Sequence, residues 1–129
     1  MPDAIVYIDR SDIRPGRLEQ VRATMDKLVA FVDANEPRLV AYSFFLSEDG
    51  TRMSVVAVHR DSASMEFHME VAGPGFRKFK GLITLSTIEV YGRVSERALQ
   101  LLREKAKLLG RASVIVHEPY VGFARLGAP

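Results

Sequence analysis

Apolar residues run through Ile5, Val6, Tyr7 and Ile8 without alternation, which predicts a strand over Ala4 to Asp9, covered on both faces and central in its sheet. Pro15-Gly16 breaks the chain after it. The period then changes. Leu18, Val21, Met25, Leu28, Val29 and Val32 recur at helical spacing, while Glu19, Arg22, Asp26 and Lys27 fall mostly elsewhere. This predicts a helix over Arg17 to Ala34, ended by Asn35 and Pro37.

Two further strands are expected at Leu39–Ser47 and Met53–Arg60, joined at Asp49-Gly50, where glycine supplies the positive φ of a tight turn. A two-residue turn there pairs Leu46 with Met53, Phe44 with Val55, Tyr42 with Ala57 and Val40 with His59, all on one face. A slip of one residue would turn His59 to the other face. Asp61 or Ser62 can cap a second helix reaching about Ala72, with Met65, His68, Met69 and Ala72 inward. Gly73-Pro74-Gly75 is expected to interrupt it, and Phe76 to Lys80 to add a short helical piece closed by Gly81.

Leu85 to Tyr91 reads as a fourth strand. Ser95 caps a third long helix to Leu109, with Ala98, Leu102, Ala106 and Leu109 inward and Gly110 as its stop. A last strand is expected over Ser113 to Ala124, bulged or at an edge because Pro119 has no N–H. The order is βαββαβ followed by αβ. Its first six elements form the split βαβ, or ferredoxin-like, motif of an α+β domain. No repeat, low-complexity tract or linker divides residues 1–129, so one domain is expected, with a core over about 4–94 and a helix–strand extension over 95–125.

Composition narrows the function. With 47% hydrophobic and 26% charged residues, the chain reads as a soluble globular protein. The 18 basic residues are interleaved with 16 acidic ones for a net charge of +2, so no basic face for nucleic acid is expected. No cysteine is present, which excludes disulfides, thiolate metal sites and a cysteine nucleophile. Met1-Pro2-Asp3 opens no secretory signal, and no apolar run approaches the ~20 residues that span a bilayer. A cytoplasmic protein without membrane contact is expected.

Val32-Asp33-Ala34-Asn35-Glu36-Pro37, then Tyr42, Glu48-Asp49-Gly50-Thr51, Asp61-Ser62-Ala63-Ser64 leading to His68, and Phe76 through Phe79 resemble, in that order and spacing, the antibiotic biosynthesis monooxygenase domain family over roughly residues 4 to 94. The resemblance implies a ferredoxin-like fold that dimerises by packing sheets into a dimeric α/β barrel. Some members of that family oxidise polycyclic aromatic substrates without metal or flavin, and others degrade haem. The haem-degrading branch carries a triad of Asn, Trp and His. Here Tyr7, His68 and Lys80 stand at or near those positions, and the chain has no Trp, so the resemblance does not extend to haem.

The chemistry centres on His68, inward beside Met65 and Met69. It is either a general base or ligand-binding group, or a buried histidine bonded to a backbone carbonyl. Tyr42 is its candidate hydrogen-bond partner. Tyr7, Phe44, Phe67, Phe76 and the methionines can supply apolar walls for a small aromatic ligand, or simply core. His59 is either on the Tyr42–Phe44 face, as a ligand group, or a strand-end histidine touching solvent; His117 is expected at the surface without a partner.

The three histidines lie on different elements, with Glu66 and Glu70 off the inward face, so no metal site is expected. There is no Gly-x-Ser-x-Gly elbow. Pro74 removes an amide from the one Gly-rich tract that could cradle phosphate. Arg77, Lys78 and Lys80 are a solvated cluster or a receptor for an acidic ligand group.

The expectation is thus a cofactor-free monooxygenase-like protein acting on a small aromatic or quinone-like molecule, or a non-catalytic dimeric ligand-binding or regulatory module of the same fold. A homodimer is expected because helices cover only one face of such a sheet, while its strands are apolar on both.

Overall fold

A computed structural model describes residues 3–127. Its elements are β1 (Ile5–Ile13), α1 (Leu18–Asn35), β2 (Ala41–Leu46), β3 (Arg52–His59), α2 (Ser62–Val71), α3 (Gly73–Arg77), β4 (Ile83–Tyr91), α4 (Glu96–Leu109) and β5 (Gly110–His117). They form one mixed sheet of order β2-β3-β1-β4-β5, antiparallel except for β4 and β5. This is the ferredoxin-like α+β architecture, and the sheet is open rather than closed on itself. No helix among the described residues is long and apolar enough to cross a membrane.

β1 is central, as its double-sided apolar run implies, but it runs to Ile13 instead of stopping at Asp9. Its polar second half hides the strand period: Tyr7, Asp9, Ser11 and Ile13 are all buried towards the helices. The hairpin has the expected register, with Leu46 opposite Met53, Phe44 opposite Val55 and Tyr42 opposite Ala57, so His59 is buried on their face. Its turn is held by Asp49, whose carboxylate accepts from the Ser47 hydroxyl and from the Thr51 amide and hydroxyl.

α1 buries Val21, Met25, Leu28 and Val32, and α4 buries Ala98, Leu102, Lys105, Ala106 and Leu109. Asp61 caps α2 by accepting from the Ser64 amide, and Ser95 caps α4 by accepting from the Ala98 amide.

Four expectations are corrected. α2 ends at Val71, but Gly73-Pro74-Gly75 is not a loop after it; the tract itself opens α3, because a proline in the first helical turn needs no donor there. At Gly75 a Cβ would stand 2.5 Å from Leu28 Cδ1, so a larger residue there would have to displace that side chain. The short helical piece therefore begins at Gly73 and ends at Arg77 rather than spanning Phe76 to Lys80. β5 starts earlier, at Gly110, and stops at His117, two residues before the proline that cannot join a ladder. Phe67 is no core wall: it is 50% exposed, on the outer side of a helix whose inner face holds Ser64, Met65, His68 and Met69.

The helices bury one face of the sheet. The other carries Phe45, Tyr91 and Ile115, which are 55%, 37% and 42% exposed, beside half-buried Val6, Ile8, Val56 and Val58. His117, expected to be without a partner, stacks on Tyr91 at 4.2 Å on this face, and its Nε2 lies 3.1 Å from Glu89 Oε1. The parallel register of β4 and β5 sets Tyr91 opposite His117, a neighbour that no local pattern reveals.

Candidate active site

Two polar clusters lie buried in the apolar layer between sheet and helices. The first is built on β1 and α4. Strand alternation carries Tyr7, Asp9 and Ser11 to the helix side, and the spacing Ala98, Leu102, Lys105, Leu109 carries Lys105 to the sheet side. Lys105 Nζ donates to Asp9 Oδ2 at 3.0 Å and to the Tyr7 hydroxyl at 2.8 Å, and that hydroxyl donates in turn to Asp9 Oδ2. The ammonium also sits 4.1 Å from the Phe76 ring centroid and 5.0 Å from that of Tyr7.

Removing two charges from water is costly, and these added bonds and ring faces are what a buried pair needs to offset it. Burial first, and then the Asp9 carboxylate, push the Tyr7 hydroxyl well up, so it stays protonated.

The second cluster joins the end of α1 to α2. Glu36 follows the helix directly, and its carboxylate is buried against His68, with Oε1 at 2.8 Å and Oε2 at 2.9 Å from Nδ1. With the proton on Nδ1, His68 donates to Glu36 and leaves Nε2 as an acceptor; no described residue bonds that nitrogen. The imidazole packs among Tyr42, His59 and Phe76 at centroid distances of 5.0, 5.4 and 5.4 Å. His59 Nδ1 lies 3.1 Å from Ser64 Oγ. Burial, and then repulsion from His68, lower His59 to about 3, so it is neutral at physiological pH.

Tyr42 stands between the clusters. Burial raises its hydroxyl pKa, and the carboxylates of Asp9 and Glu36 raise it further. Phe44 packs edge-on to Tyr42 at 5.4 Å and against Phe79 at 5.9 Å. Asp9, Ser11, Lys105, Tyr42, Phe44 and Phe79 are among the residues bounding a cavity of about 10 Å³, room for one water-sized group. Ser11 Oγ, fully buried on its wall, has no hydrogen-bond partner among the described residues.

Tyr7, Tyr42, Phe44, His59, His68 and Phe76 thus come together in one ring-and-carboxylate cluster. Of these, Tyr42, Phe44 and Phe76 border the cavity, while Tyr7, His59 and His68 do not; nor do Met65 and Met69, which are buried on α2. No group of three or more potential metal ligands exists among the described residues.

Sequence reasoning missed Asp9, Ser11, Glu36 and Lys105. Each stood at a position whose period faces inward or next to a helix end, and a polar residue on an apolar period is the signal that marks them.

No protein-family model and no curated protein match this chain. Solved structures do. MupZ from Pseudomonas fluorescens is similar over 97% of this chain and 91% of its own, with a TM-score of 0.75 and 19% identity. SnoaB, a cofactor-independent oxygenase from Streptomyces nogalater, is similar over 72% and 95%, with a TM-score of 0.60 and 17% identity. A proposed antibiotic biosynthesis monooxygenase from Bacteroides thetaiotaomicron is similar over 64% and 85%, with a TM-score of 0.53 and 21% identity. The chain therefore shares the ferredoxin-like fold of these structures.

Proposed function

We propose that the protein is a cofactor-independent, oxygenase-type enzyme acting on a small hydroxylated aromatic or quinone-like molecule, with His68 as general base. The observation that carries this reading is the buried Glu36–His68 pair, which orients Nδ1 and leaves Nε2 an unshared lone pair among aromatic rings. The fold shared with SnoaB, itself a cofactor-independent oxygenase, supports it.

In the reaction, Nε2 takes a proton from an activated C–H of the electron-rich substrate. The carbanion passes its electrons to dioxygen and a C–O bond forms. The distal peroxide oxygen is then protonated; the second hydrogen of the same carbon leaves as a proton while the O–O bond breaks, and loss of water leaves a carbonyl. One oxygen atom ends in the product and one in water, so no external reductant is consumed. Glu36 stabilises the imidazolium formed on the way. Tyr42, held protonated, donates to a substrate oxygen.

The test is oxygen uptake against a panel of phenols and hydroquinones. Uptake with a carbonyl product is expected, and His68→Phe should stay folded while turnover falls by ~10²-fold or more. Tight binding with no uptake would overturn the oxygenase reading and leave a non-catalytic ligand-binding module.

We further infer a homodimer formed through the open sheet face. Its support is the apolar surface of Phe45, Tyr91 and Ile115 on strands whose opposite face is already covered. Light scattering at micromolar concentration should give about twice 14.4 kDa. A monodisperse monomer would refute it.

A further inference from the structure

Apart from the Glu36–His68 pair, the layer holds a second set of polar atoms with bonding capacity left over. Asp9 Oδ2 takes both the Tyr7 hydroxyl and Lys105, leaving Oδ1 as an acceptor. Lys105 carries three N–H donors and uses two on Tyr7 and Asp9. Ser11 Oγ has no hydrogen-bond partner among the described residues. All three residues border the same cavity, whose room of about 10 Å³ matches a single oxygen-bearing group.

A buried polar atom left unmatched is costly, so such a set is either strain or a receptor. The remaining capacity has a definite character: one anionic acceptor, one cationic donor and one hydroxyl that can do either. Asp9 opposes a second anion, and an ether oxygen could not donate to it. A neutral hydroxyl satisfies both ends at once.

Lys105 and Phe76 border the cavity and, on their other side, a surface groove of about 500 Å³ between α3 and α4, which also touches Met69, Pro74, Leu101 and Leu108. Phe76 in turn meets the His68 ring. An aromatic ring in this groove would touch Lys105 and Phe76, the two residues that the groove shares with the cavity.

We propose that Asp9, Ser11 and Lys105 form the subsite that recognises a neutral hydroxyl of the aromatic ligand, donating to Asp9 and accepting from both Lys105 and Ser11. This rests on the aromatic-ligand reading above but not on the oxygenase chemistry. The charged and titratable groups around Lys105 are Asp9 and Tyr7 from β1, Tyr42 from β2, Glu70 from α2, Arg77 from α3 and Glu104 on its own helix; Glu70 is paired with Arg97.

The test compares three probes on the full chain by ligand-observed NMR: phenol, anisole and benzoate. Phenol should bind at least ~10-fold more tightly than either, because a site with paired polar groups rejects the analogue that cannot bond to them. In Asp9→Leu/Lys105→Met, which removes both charges together, phenol and anisole should bind alike. Ser11→Ala, nearly isosteric, should lower the ratio severalfold and serves if the double variant does not fold.

His68→Phe should abolish oxygen uptake while leaving the phenol-to-anisole ratio unchanged, so failure of the oxygenase reading and failure of this subsite are told apart. A ratio near one in the wild type, a full ratio persisting in the double variant or in Ser11→Ala, or no binding of phenol would each overturn the proposal.

Discussion

The two buried clusters look alike and behave differently. Both place a carboxylate against a basic side chain between the same sheet and the same helix layer, and both touch Phe76. In the Asp9–Lys105 pair the ammonium and the carboxylate are both buried, so removing either partner leaves the other unpaired in the core. In the Glu36–His68 pair the basic group is an imidazole with a second ring nitrogen, and a neighbouring histidine, His59, stays neutral beside it. The first cluster is suited to holding a polar group still and the second to moving a proton.

The largest expected break in that comparison is Lys105→Met. It should cost about 3–5 kcal/mol in urea denaturation, because Asp9 is left buried and uncompensated. Asp9→Leu in the same chain should recover most of that loss, and the double-mutant cycle gives the coupling directly. Additive losses would show that the pair is not an interacting unit.

Acid provides the next. His59 is a base whose folded pKa, about 3, lies below its ordinary value, so between that value and about pH 6.5 the unfolded chain binds a proton that the folded chain does not. Stability should therefore rise with pH through this window, by about 1.4 kcal/mol per unit from this group alone, and fall as pH drops from 6.5 towards 4.5. His59→Gln should flatten the slope in denaturation curves taken across those pH values. An unchanged slope would assign the acid sensitivity elsewhere.

Glu36→Gln sharpens the proton-transfer side. It keeps the shape but removes the charge that stabilises the imidazolium, and should cost about 1–3 kcal/mol of stability. Turnover should fall more than binding, seen as a lower kcat at nearly constant KM. The smallest effect is expected at Phe67→Ser. This ring is half exposed and belongs to neither cluster, so the midpoint should move by no more than about 0.5 kcal/mol.

Much of this architecture is legible in the chain. The 3.6-residue period of Val21, Met25, Leu28 and Val32 is the buried face of α1, and the caps Asp61 and Ser95 stand where helices begin. The Asp49-Gly50 turn sets the register that buries His59. His68 is inward because it shares the face of Met65 and Met69. The misreadings have local causes. Polar Asp9 and Ser11 disguise the continuation of β1, and Pro74 looks like a breaker although it sits where a helix tolerates it.

The chain by itself determined the elements, their order and the faces they bury, because those depend on residues within a turn or a strand repeat of one another. It did not determine which polar groups meet. Asp9 and Lys105 are 96 residues apart, and Glu36 and His68 are 32 apart. Their contact depends on where β1 sits in the sheet, on how α4 crosses it, and on how the end of α1 approaches α2. Those placements come from packing the whole apolar layer at once, and a buried charge can be read as a pair only after its partner has been brought within about 3 Å by tertiary structure.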